Sequence, residues 1–444
     1  MYDLVIRNGL VASGEGLWPA HVAVRDGRVA ALLEPAATPQ ANRTIDATGR
    51  ILLPGLVDAH VHFREPGLTH KEDFASGGRA AALGGVTTVM VMPTDSPVTM
   101  TAEQFVAKKE LAEGRCAVDF ALQAAVGPDP GNVSALAREG AVSFEVFLGL
   151  LPDPVRVTTS AALVDVLAAV GEVDGVVGVT PFDDELAAAA ARRASESLAN
   201  DRERFAAAMP PSIEAAGIAR AVAAHRIAGG RLHVRQVSSE LGLAALALAA
   251  EGVTSEVTPH NLWLTNETLL SLGPVAKVVP PLRSREDVEA MRRALAVRQI
   301  DIVATDHAPH TREEKAAGEA DLGKAPGGFP GVQTLLPLLL KLVGDGVIGY
   351  PDLVRVACEL PAEIFRLSDR KGSLRPGMDA DVVLVDPETP MQIRNADQLS
   401  RAGQTPFDGW TCPATPVLTL LRGDIIAEQG RIVGSPRGRF LAPS

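Results

Sequence analysis

The sequence predicts an α/β protein: a (β/α)8 TIM barrel carrying a small composite β-sandwich domain drawn from both termini. Three observations point to it. In the middle of the chain short apolar strands alternate with Ala/Leu/Glu/Arg-rich helical stretches, eight such strands follow one another, and both ends are strand-rich with tight turns.

At the amino-terminal end "YDLVIRNGLVAS", "AHVAVRDGRVAALL" and "RTIDATGRILLPG" read as short strands with Asn-Gly and Asp-Gly turns. The far end repeats the habit in "ADVVLVD" and "PVLTLLRGDIIAEQGRIVG". Chain termini often lie close together, so residues 1–52 and 368–444 are expected to form one β domain and residues 53–367 the barrel. The eight barrel strands are "LVDAHVH", "TTVMVMP", "VDFALQAAV", "VSFEVFL", "GVVGVTP", "RLHVRQVSS", "TSEVTP" and "DIVATDH". Helix formers such as "DDELAAAAARRASESLANDRERFAAAM" and "SREDVEAMRRALAV" lie between them. A doubly wound open sheet is the competing arrangement, but no GxGxxG fingerprint accompanies it.

Composition narrows the function. With 46% apolar and 22% charged residues the chain is an ordinary globular one, and its net charge of -12 argues against a nucleic-acid or anionic-membrane partner. A small molecule is the expected substrate. The three cysteines, Cys116, Cys358 and Cys412, are too few and too scattered for a disulfide framework or a cysteine zinc module. The opening "MYDLVIRNGLVASGEG" lacks a signal-peptide pattern and no apolar run approaches about 18 residues, so a cytoplasmic enzyme is expected.

In a barrel, polar residues at the carboxyl ends of strands tend to be functional. His60 and His62, in "DAHVHFREPG", lie two apart on a strand and so point to one face. Two imidazoles there suit a divalent metal such as Zn2+; the competing explanation is a pair of hydrogen-bonded core histidines. Asp306 closes the eighth strand in "IDIVATDHAPH". Beside a metal it can ligate and act as general base, and without one it would cap the next helix. Arg64 and His310 follow their strand ends by a few residues and could grip an anionic group, although a loop arginine also serves as a surface ion pair. His225 and His233 read as structural, with His70 and His260 weaker candidates. In "GAVSFEVFLG" the carboxylate of Glu145 interrupts a buried strand, so it must be paired, hydrogen-bonded or bound to a metal.

Taken together, "PGLVDAHVHFREPGLTHKEDFASGGRAAALGGVTTVMVMP", "EVTPH", "PPLRSREDVEAMRRAL", "DIVATDHAPHTREEKAAGEADLGKAPGGFPGVQTLLPLLL", "GSLRPGMDADVVLVD" and "TPFDGW" make the chain resemble the cyclic amidohydrolases of the amidohydrolase superfamily. Dihydroorotase is the nearest in pattern, with allantoinase and dihydropyrimidinase (hydantoinase) close by. The resemblance implies that His60 and His62 hold the more buried metal, that Asp306 ligates and shuttles the proton, and that Arg64 and His310 hold a substrate carboxylate. Relatives are often dimers or tetramers, so the resemblance also implies that this chain forms a homo-oligomer. Position 145 matches the lysine that the family carboxylates to bridge two metals, so Glu145 is expected to supply a permanent carboxylate as a ligand.

Departures from the family pattern shape the expectation. Its strand-five and strand-six histidines, which hold the second metal, correspond here to Thr180 and Gln236. The asparagine of its "MPNT" motif is Thr94, a candidate substrate contact, and that of "KVNPPLR" is Val279. The expected cofactor is therefore one divalent metal, zinc, held by His60, His62, Asp306 and Glu145. The expected activity is hydrolysis of a small anionic cyclic amide, imide or ureide. The alternative is a catalytically inactive dihydroorotase homologue that assembles with aspartate transcarbamoylase.

Overall fold

A computed structural model describes residues 1–444. Each of the eight apolar runs forms a strand: Leu56–Val61, Val86–Val91, Asp119–Leu122 continued by Ala124–Ala125, Phe144–Phe147, Val176–Thr180, Arg231–Val234, Val253–Val257 and Ile302–Val303. Every neighbouring pair is parallel. Parallel strands need crossover connections, and the helical stretches between them supply these. The ring closes between first and eighth strands, where Val61 bridges His307 and the His62 amide donates to the His307 carbonyl at 2.7 Å. The result is the closed barrel that the alternation predicted.

Local chemistry sets the helix ends. Asp73 caps Phe74–Leu83, and Thr101 caps Ala102–Ala112, each in a reciprocal capping box. In Arg285–Ala296, Val288, Met291 and Leu295 are buried at helical spacing against the barrel. The long helix-forming stretch after the fifth strand is divided into Asp184–Ser197 and Asp201–Ala207. Asn200 causes the break by accepting the Arg202 amide at 2.9 Å and starting a new helix.

Inside the barrel Val57, Ala59, Met90, Ala121 and Ile302 pack with Phe365, which follows the helix Leu360–Ile364, as one apolar plug. That closes the lower end and leaves the upper end for polar side chains.

A nine-stranded sheet takes strands from both ends of the chain, including Tyr2–Ser13, Gly16–Arg25, Ile51–Pro54, Val382–Asp386 and Thr415–Leu421. It folds back on itself: Gly423, at the far end of the strand order, leaves only 3.0 Å between an added Cβ and Val24 near the other end. Leu4, Ile6, Val22, Val382 and Leu420 fill the space enclosed. Lys371 joins sheet to barrel. Its buried ammonium lies 2.6 Å from Asp119, the first residue of the third barrel strand, and 2.9 and 2.8 Å from Asp379 and Asp381. No helix is long and apolar enough to cross a membrane.

Candidate metal centre and substrate site

The upper end of the barrel brings His60, His62 and Asp306 together, with one potential ligand atom from each lying within 4.8 Å of the others. Asp306 Oδ1 is 3.3 Å from His60 Nε2 and 3.1 Å from His62 Nε2. The far nitrogen of each ring is taken. His60 Nδ1 meets Glu256 Oε1 at 2.5 Å and His62 Nδ1 meets the Thr94 hydroxyl at 2.7 Å. With both Nδ1 atoms protonated and the rings neutral, two imidazole lone pairs and a carboxylate oxygen face one another. A divalent cation neutralises such a trio, and two His with one Asp are a donor set suited to zinc.

The electrostatics differ between the two rings, and the carboxylates around His60 draw positive charge to that position, which a bound cation would supply in place of a proton. Burial opposes a charge on His60, but the carboxylates of Glu256 and Asp306 outweigh it and raise its pKa above the usual histidine value. Burial acts against ionised Asp306 as well, yet His60 and His62 hold its pKa below the ordinary carboxylate range. Burial drives His62 down to about 3, leaving a neutral ring with a lone pair to give.

Gln236 donates from Nε2 to Asp306 Oδ2 at 2.7 Å, which fixes the carboxylate and leaves Oδ1 toward the histidines. Simple alternation would turn Gln236 outward with Val234, which packs in the core between strands and helices. Gln236 instead has φ of 53°, and this left-handed residue just past the strand swings the side chain over the barrel mouth. Arg64 and Asp306 also occupy the left-handed region, at 60° and 49°. Such backbone costs on the order of 1–3 kcal/mol per residue, and it clusters where side chains must be aimed. Thr180 lines a crevice beside Gln236, together with Phe182 and Arg283.

Glu145 differs from expectation. Its two oxygens are engaged by Arg235, Oε1 with Nη2 at 2.6 Å and Oε2 with Nε at 3.2 Å, and Ser143 donates to Oε1 at 2.7 Å. The carboxylate lies outside the His60, His62 and Asp306 group. A glutamate is several bonds shorter than a carboxylated lysine, and the guanidinium beneath it is the nearer cation. Thr94 is likewise engaged as a partner of His62.

Arg235 and Glu256 are the residues that the strand pattern did not single out. Arg235 Nη1 also donates to Glu256 Oε2 at 2.9 Å and to the Ala59 carbonyl at 3.1 Å. Glu256 Oε2 lies 3.2 Å from His233 Nε2 as well, so His233 braces the acid that orients His60. The signal for both was available. Glu256 within "TSEV" and Arg235 just past "RLHV" are charges inside apolar strands, as Glu145 is, and several such charges in one barrel imply mutual pairing.

Arg64 Nη2 lies 3.3 Å from His310 Nε2, so the two expected anion contacts meet at the mouth. The buried Nε of Arg64 has no hydrogen-bond partner. His260, also at the mouth, is buried with its Nε2 unpartnered.

Residues 51–426 match the model of the amidohydrolase family. The chain belongs to the amidohydrolase family. Among curated members, the dihydroorotase of Halobacterium salinarum is 40% identical over 87% of this chain and 89% of its own length. The allantoinase of Rubrobacter xylanophilus is 36% identical over 100% of this chain and 98% of its own. A solved amidohydrolase structure, the L-hydantoinase (dihydropyrimidinase) from Arthrobacter aurescens, superposes with a TM-score of 0.94 at 32% identity, covering 100% of both chains.

Proposed function

We propose that this amidohydrolase opens a cyclic amide, imide or ureide by hydrolysis, using one divalent cation, zinc, held by His60, His62 and Asp306. The observation that carries the proposal is the convergence of three ligand atoms on one another while Glu256 and Thr94 occupy the far nitrogens of both histidines. Relatives named dihydroorotase, allantoinase and L-hydantoinase support the reaction class.

A cation bound there supplies Lewis acidity, polarising a carbonyl and lowering the pKa of water. The chain's own residues do the rest. Asp306 accepts the proton of the attacking water, an oxygen-to-carbon bond forms at the ring carbonyl, and the ring carbon–nitrogen bond breaks. Asp306 then returns the proton to the leaving nitrogen, which balances the hydrolysis. Gln236 holds Oδ2 throughout, so the oxygen that works is Oδ1. Arg64 and His310 orient an anionic substituent on the ring.

Dihydroorotate, hydantoin and allantoin, offered to the metal-loaded enzyme and to Asp306→Asn, test this. The wild-type protein should open at least one ring, and the variant should lose about 10²–10⁴-fold in kcat. Full turnover by Asp306→Asn contradicts the mechanism. A wild-type protein that opens no cyclic amide and co-purifies with a transcarbamoylase would make it the inactive assembly partner instead.

A further inference from the structure

The anion contacts at the mouth carry a third basic residue. Lys71 precedes the helix Phe74–Leu83, and its Nζ lies 3.2 Å from His310 Nδ1. Glu314 Oε1 holds the same ammonium at 3.0 Å, and this Glu314 also accepts the Thr311 amide at 3.0 Å through Oε2. Lys71 is therefore held by Glu314 while it faces His310.

An ammonium has protons to give and no lone pair to receive one. Facing Lys71, His310 Nδ1 must accept. The one carboxylate that could take a proton from Nδ1, Glu314 Oε2, stands 3.7 Å away, outside hydrogen-bond range. Burial, with the charges of Arg64, Lys71 and Lys315, pushes His310 down to about 2, so the ring is neutral and its single proton sits on Nε2. The Gly327 carbonyl accepts there at 3.1 Å.

The Nε2 proton also faces Arg64 Nη2 at 3.3 Å, and a guanidinium cannot accept it. Two donors therefore sit side by side; the Gly327 carbonyl takes the His310 proton here, while the buried Arg64 Nε has no partner. One carboxylate oxygen placed at this point accepts from Arg64 and shares the His310 proton with the Gly327 carbonyl as a bifurcated bond. If the His310 proton moved to Nδ1, Nε2 would offer that oxygen a lone pair and repel it.

We propose that Lys71 is a positioning residue that fixes His310 in its Nε2–H form, so that His310 and Arg64 jointly receive the anionic substituent and make carboxylate-bearing rings the preferred substrates. This deepens the ring-opening function and rests on it.

The test uses the metal-loaded full chain with Lys71→Met and the rescue variant Lys71→Arg. Dihydroorotate carries a carboxylate and hydantoin does not. In Lys71→Met, KM for dihydroorotate should rise about tenfold with kcat held within about twofold, while KM for hydantoin stays within about twofold. Lys71→Arg should restore the dihydroorotate KM. Nitrogen-15 spectra of histidine-labelled protein should show His310 unprotonated at Nδ1 in the wild type and a tautomer mixture in Lys71→Met. A protonated Nδ1 in the wild type overturns the proposal, as does a KM change equal for both rings or absent from both. Should the wild type open neither ring, the hydrolase function fails separately. The nitrogen-15 spectra and calorimetric binding of dihydroorotate to wild type and Lys71→Met then decide the role of Lys71 by the same criteria.

Discussion

Glu145 and Arg235 form a two-point ion pair inside the barrel, with Nη2 to Oε1 at 2.6 Å and Nε to Oε2 at 3.2 Å, and both residues are fully buried. Removing one partner of such a pair strands a charge in a low-dielectric interior. Glu145→Ala should therefore lose about 3 kcal/mol of stability in chemical denaturation, and Glu145→Ala with Arg235→Met should recover part of it. Activity should be independent of bicarbonate. A Glu145→Ala protein of unchanged stability that has lost its metal would place Glu145 among the ligands.

Glu256 acts on the site through His60. Its Oε1 holds Nδ1 at 2.5 Å while Oε2 is held by Arg235 and His233, so the ring is aimed before any ligand arrives. Glu256→Gln should weaken zinc binding about 10–100-fold, measured by competition with a chelator. Unchanged affinity would make the contact merely structural.

Gln236 holds the Asp306 carboxylate in place at 2.7 Å. Gln236→Leu removes that donor while keeping the bulk. We expect kcat to fall about tenfold and the metal content to stay the same, since the bond serves Asp306 Oδ2 and the histidines meet Oδ1. A variant with full kcat would remove Gln236 from the mechanism.

Lys315 lies near Arg64 and His310, donating to the Lys277 and Pro326 carbonyls at 2.9 and 3.0 Å. Burial, aided by the charge of Lys277, lowers its pKa from 10.5 to about 7. Between these values the unfolded chain binds a proton that the folded chain does not, so stability rises with pH across that window and levels off below about 7. This single group contributes a slope of about 1.4 kcal/mol per pH unit there. Denaturation midpoints of wild type and Lys315→Met across the window should show the slope in the first and its loss in the second; parallel curves would contradict it.

Much of the architecture was legible because its signals are local. Eight apolar runs separated by helix formers marked the barrel, and the His-x-His spacing with Asp306 at the last strand marked the site. What stayed hidden depended on partners distant in sequence. Glu145 is 90 residues from Arg235, and His60 is 196 from Glu256, so one strand alone shows a buried charge but not what neutralises it. Gln236 was read as a hydrogen-bonding side chain in a vacated second-metal position, but the left-handed backbone that aims it at Asp306 could not be read from the strand pattern. Thr94 was expected to meet substrate, and its contact with His62 Nδ1 at 2.7 Å was not foreseen. Backbone handedness at a strand end is invisible to periodicity, and here it directs three residues of the site.

The most direct test of a single-cation centre is the metal content per chain, measured by elemental analysis on untagged protein prepared without chelators and again after zinc reconstitution. One equivalent, with ring-opening lost on chelation and restored by zinc, is the expected result from the donor set of His60, His62 and Asp306. Two equivalents, or none after reconstitution, would contradict it.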